Sequence, residues 1–114
     1  MKLETFFGLQ KEVQECVEKF NFNWTNYVQY IHLVEEVAEL GEALTVHQGD
    51  RKAGSGENAL ADHHDTREEL GDVLFNVIQI ANQLNLNLDE VMEETFARYE
   101  EKLKRLKNQA ETSA

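Results

Sequence analysis

A chain of 114 residues with 41% apolar side chains has the length of one domain and enough hydrophobic material to bury a core. Its formal charge of −11, from 22 acidic against 11 basic residues, argues against a nucleic acid polymer and an anionic membrane surface, since both are held by an excess of Lys and Arg. Cys16 is the single cysteine, so an intrachain disulfide is excluded. With no export signal and no run of about 18 apolar residues, a cytoplasmic location is expected.

With no proline and few β-branched clusters, the chain reads as helices separated by short polar breaks. The first helix is predicted from about Thr5 to Phe20, where Phe6, Leu9, Val13, Cys16, Val17 and Phe20 recur at steps of three and four. Cys16 falls on that stripe and reads as a small packing residue. The second begins near Thr25 or Asn26, either able to cap it, and runs to about His47. From Gln48 to Asp62, glycines among charged residues and no periodicity indicate a loop. The third helix is expected from about Asp62 to Leu84. Leu70, Val73, Leu74, Phe75, Val77, Ile78, Ile80, Ala81 and Leu84 occupy most of its circumference, so it needs cover on more than one side, as a second subunit would provide. The fourth is expected to be capped by Asp89 and to run through Phe96, Tyr99, Leu103 and Leu106. A single domain over 1–108 with a solvated tail over 109–114 completes the reading.

The chemistry lies in two short acidic motifs. Helix two contains EEVAE at 35–39 and helix three EELGD at 68–72. Glu36 with Glu39, and Glu69 with Asp72, stand three residues apart, so each pair shares one helical face. Acid pairs at this spacing are common on solvated helices. These, however, sit among Val34, Val37, Ala38, Leu40, Leu70, Val73 and Leu74, where uncompensated carboxylates each cost several kcal/mol. Too few Lys and Arg lie nearby to balance them. A divalent cation would, and an all-oxygen donor set favours Mg²⁺ or Mn²⁺ over zinc. His63 and His64 are adjacent and point about 100° apart, so they read as helix-start residues and not as a metal pair. A di-iron bundle would require Glu-x-x-His, and none of His32, His47, His63 or His64 has an acid three residues before it.

The segments LVEEVAELGEAL (33–44) and REELGDVLFNVIQIANQLNLNLDEV (67–91) resemble the MazG-type all-alpha nucleoside triphosphate pyrophosphohydrolases, marked by EExxE followed by ExxD on the next helix. The resemblance spans about 25–106, and the stretch between Glu39 and Glu69 is at the long end for that family. It implies an all-α bundle of four to five helices, completed by packing as a homodimer or homotetramer, with the active site near a subunit interface. It further implies Mg²⁺ held by Glu36, Glu39, Glu69 and Asp72, with Glu35 beside them as a supporting group or base.

The implied reaction is Mg²⁺-dependent hydrolysis of a nucleoside triphosphate between its α and β phosphates, for house-cleaning of non-standard or excess nucleotides. Four carboxylates can hold more than one ion, and Glu35 or Glu68 can take the proton of the attacking water. Arg98, Lys102 and Arg105 on helix four, with Arg51 and Lys52 in the loop, are the candidate phosphate contacts. Trp24, Phe7 and Tyr27 could stack on a base, and Asn76, one turn beyond Asp72, could hydrogen-bond a ligand. Two alternatives remain open: a phosphoribosyl-ATP pyrophosphohydrolase, and a non-enzymatic acidic helical interaction module.

Overall fold

The computed structural model describes residues 5–48 and 65–113, which form four helices: α1 (Phe6–Phe20), α2 (Asn26–His47), α3 (Thr66–Gln83) and α4 (Leu88–Ser113). No strand occurs among the described residues, and none of their helices is long and apolar enough to cross a membrane. The expected loop from Gln48 lies, beyond that residue, outside the described residues. So do Arg51, Lys52, His63 and His64.

Each boundary has a local cause. Thr25 caps α2 by accepting from the Val28 amide at 3.4 Å. Asp65 caps α3 through the amides of Arg67 and Glu68, so the described helix starts at Thr66 and not at the expected Asp62. α1 and α3 are each followed by an asparagine in the left-handed region, Asn21 at φ 54° and Asn85 at φ 56°. Asparagine tolerates that conformation, which lets Phe22 N–H reach back to Val17 O and Leu86 N–H to Ala81 O.

The expected cap of α4 is corrected. Asn87 Oδ1 accepts from the amides of Asp89 and Glu90, while the Asp89 carboxylate reaches across the fold to the Phe6 and Phe7 amides at 2.8 and 3.1 Å. Asp89 therefore caps α1, bringing its charge to the positive end of another helix. The end of α4 also differs: it continues as helix to Ser113, exposed through Thr112, past the expected stop near Asn108.

α2 and α3 lie against each other, α1 packs on α3, and α4 packs on α1. The apolar core is small: Val13 and Val17 of α1 meet Ile78 of α3, with Leu9, Phe22, Phe75 and Leu88 around them. Gln10 fastens this corner. Its amide donates to Asn82 Oδ1 and Leu86 O and accepts from the Leu88 amide, while Asn82 donates back to Gln10 O.

The α2–α3 seam is different in kind. Gln29 and Glu36 from α2, with Glu69, Asn76 and Gln79 from α3, are all buried, so these helices meet through polar side chains. Many of their apolar residues face outward, with Tyr30, Val34, Val37, Leu70 and Leu74 all exposed.

Candidate active site

The acidic motifs converge at this seam. Three to four residues of spacing turn Glu36 toward α3 in register with Gln29, and turn Glu69, Asp72 and Asn76 toward α2. Glu36, Glu69 and Asp72 each offer a carboxylate oxygen, and the three atoms lie within 4.8 Å of one another. Glu39, one turn along α2, shares a carboxyl–carboxyl hydrogen bond with Glu36. Glu69 also stands in the first turn of α3, where the helix dipole favours a negative charge.

Crowding has an electrostatic consequence. Burial pushes the Glu36 carboxyl up to about 7, reinforced by the hydrogen bond that its protonated form makes with Glu39 and by the charges of Glu39 and Asp72, and His32 pulls the other way. Glu36 Oε2 is buried and makes no hydrogen bond. A hard divalent cation fits such a donor set: it would neutralise the mutual repulsion and give that oxygen a partner.

The surroundings of the cluster are specific. Gln29 Nε2 donates to Asn76 Oδ1, and Asn76 Nδ2 donates to Asp72 O at 2.8 Å. Asn76, 5% exposed, is thus turned inward to brace α3 beneath Asp72; its amide bonds within the protein at both ends because a buried amide must be satisfied. Glu35 is exposed and touches His32 Nδ1 at 3.4 Å, and Glu68 is exposed beside Glu69. Trp24 lies near the cluster, edge-on to His32 with ring centroids 4.9 Å apart. Phe7 and Tyr27 are exposed, Phe7 at a separate cleft with Gln10 and Asn82.

Arg98, Lys102 and Arg105 share one side of α4 and line a groove of about 340 Å³ with Tyr99 and Glu101. Because α4 packs on α1, one chain does not bring this basic groove into the carboxylate cluster. The sequence reading missed His32, whose Nε2 lies 3.1 Å from Glu36 Oε1. Its signal lies in the other direction along the helix: His32 precedes Glu35 and Glu36 by three and four residues, whereas the Glu-x-x-His pattern puts the acid before the histidine.

Comparison with known proteins places the fold. A protein from Bacillus, described as a Bacillus-conserved MazG protein and a nucleotide pyrophosphohydrolase, superposes with a TM-score of 0.65 at 28% identity, over 87% of this chain and 93% of that one. The YpjD protein of Bacillus subtilis superposes with a TM-score of 0.70 at 25% identity, over 87% and 96%. By sequence, YpjD is 26% identical over 100 residues, covering 87% of this chain and 86% of its own. Residues 25–109 match the model of the MazG nucleotide pyrophosphohydrolase domain, a span that holds both helices of the carboxylate cluster. A chain with this fold, these convergent acids and this match belongs to the MazG family of nucleotide pyrophosphohydrolases.

Proposed function

We propose that this enzyme hydrolyses nucleoside triphosphates between the α and β phosphates in a Mg²⁺-dependent reaction, and that it serves to clear non-standard or excess nucleotides. The observation that carries the proposal is the convergence of Glu36, Glu69 and Asp72 to within 4.8 Å where α2 meets α3, with Glu36 and Glu69 buried. These three, with Glu39, would hold the metal. When bound, Mg²⁺ supplies charge neutralisation at the phosphate oxygens and acidifies a coordinated water.

The chain's own residues do the rest. Exposed Glu35, or Glu68, accepts one proton from water as its oxygen bonds to the α-phosphorus. The bridging bond from the α-phosphorus to the β-phosphate oxygen then breaks, and pyrophosphate leaves with that oxygen, giving a nucleoside monophosphate. Trp24, 40% exposed beside the cluster, stacks on the base. Asn76 serves the nucleotide indirectly, by holding Asp72 and its turn in place.

The active assembly is a homo-oligomer, most simply a homodimer. Tyr27, Tyr30, Val34 and Val37 on α2, and Leu70, Leu74 and Val77 on α3, are all exposed in one chain, more apolar surface than a monomer usually leaves to water. Within such an assembly a neighbouring α4 carries Arg98, Lys102 and Arg105 to the phosphates.

A panel of ribo- and deoxyribonucleoside triphosphates, with phosphoribosyl-ATP included, assayed for pyrophosphate release with Mg²⁺ tests this reading. Release from triphosphates of the nucleoside class supports it. Turnover of phosphoribosyl-ATP alone would reassign the substrate, and a background response across the panel would leave an interaction module.

A further inference from the structure

Among the described residues, His32 is the nitrogen ligand-type side chain at the carboxylate cluster, and it is held from two directions. Its Nε2 lies 3.1 Å from Glu36 Oε1 and its Nδ1 lies 3.4 Å from Glu35 Oε1, so one ring spans the buried acid and the exposed one beside it. The ring also stands edge-on to Trp24 at 4.9 Å between centroids. Trp24 in turn meets Phe22 edge-on at 6.4 Å, and Phe22 stacks on Phe75 of α3 at 6.2 Å. An aromatic wall running back to the core thus fixes the plane of the imidazole, leaving it 33% exposed.

Carboxylates are free to rotate about their last bond, and a cation site needs that rotation stopped. His32 engages Oε1 of Glu36, and the other oxygen, Oε2, is the buried one without a hydrogen bond. We infer that His32 is a positioning residue: braced by Trp24, it holds Glu36 by Oε1 so that Oε2 is the atom presented to a divalent cation shared with Glu69 and Asp72. Glu35 keeps the second ring nitrogen and so couples the exposed acid to the buried ligand. The inference rests on the metal reading proposed above and deepens it.

Trp24 is the only tryptophan of the chain, so its fluorescence reports on this wall alone. The test uses substrate-free full-length protein titrated with Mg²⁺, read in parallel by calorimetry and by Trp24 emission, for wild type, His32→Ala and His32→Gln. Partners that orient metal ligands are typically worth ten- to a hundredfold in metal affinity. His32→Ala is therefore expected to weaken Mg²⁺ binding by about tenfold or more and to uncouple the emission change from the calorimetric one. His32→Gln, which can still place an amide N–H near Glu36 Oε1, is expected to restore most of the affinity, and equal melting temperatures without Mg²⁺ would separate positioning from general damage. Unchanged or tighter Mg²⁺ binding in a folded His32→Ala would overturn the inference, as would a His32→Gln variant no better than His32→Ala. Absence of Mg²⁺ binding by the wild type would instead count against the metal reading itself.

Discussion

At Glu36 burial and two neighbouring carboxyls favour the protonated form up to a pH of about 7, from an ordinary value of 4.5. Between those limits the folded chain keeps a proton that the unfolded chain has released. The contribution of Glu36 to the stability of the metal-free protein is therefore fully present below the lower value and is lost as the pH rises through the upper one, an amount on the order of a few kcal/mol. Mg²⁺ binds the ionised carboxylate and must expel that proton, so its affinity rises with pH across the same window. The rise in melting temperature given by millimolar Mg²⁺ is accordingly expected to be small at about pH 5.5 and clearly larger at about pH 7.5. An increment that is flat or shrinks with pH would contradict this picture of Glu36. The acids themselves were legible in sequence, because carboxylates inside apolar helices need a reason to be there. Asn76 was less so: its position one turn after Asp72 was readable, but not that Gln29 would claim its carbonyl oxygen, since that bond crosses between helices.

On the scale of helices, local chemistry set the ends and tertiary contacts reassigned one of them. The run Asn87-Leu88-Asp89 offers two capping side chains two residues apart, and either satisfies the rules for starting α4. Asn87 takes that role because Asp89 is drawn to the bare amides of Phe6 and Phe7, a partner more than 80 residues away that no local pattern reveals. Replacing Asp89 with Ala should thus destabilise the protein by about 1–2 kcal/mol through α1, measured by denaturant unfolding, with the helicity of α4 retained. A loss confined to α4, or no loss, would restore the simpler assignment. Helix periodicity located all four elements well, since amphipathic stripes survive whatever they pack against. It could not say which stripe faces inward: α2 and α3 bury Gln29, Glu36, Glu69 and Asn76 and leave much of their apolar surface outside.

The whole molecule has the proportions of a part and not of a finished globule. Its radius of gyration is 18.6 Å, against about 13 Å for a compact domain near 100 residues. α4 has no buried residue and displays Phe96, Tyr99, Leu103 and Leu106 to solvent, and only Val13, Val17, Ala43, Ile78 and Ala81 are buried apolar residues among those described. Both features would follow if, as proposed above, a second copy packs over the outer faces of α2 and α3 and against α4. Placing charges there, as in a Val34→Glu, Leu74→Glu double variant, is expected to shift the sedimentation of the protein to monomer and cut turnover by at least tenfold, a loss of about 1.4 kcal/mol or more in transition-state stabilisation. A wild type that sediments as a monomer and is fully active would refute the assembly.

Hydrolysis run in ¹⁸O-labelled water joins these scales in one product analysis. With Mg²⁺ present, the label should appear in the nucleoside monophosphate and not in pyrophosphate. It should be lost on chelation and fall at least a hundredfold in Glu69→Gln, since removing a carboxylate from a cation site typically costs that much or more. Label in pyrophosphate, release of orthophosphate, or a Glu69→Gln variant that turns over normally would contradict a carboxylate-held cation acting at the α-phosphorus.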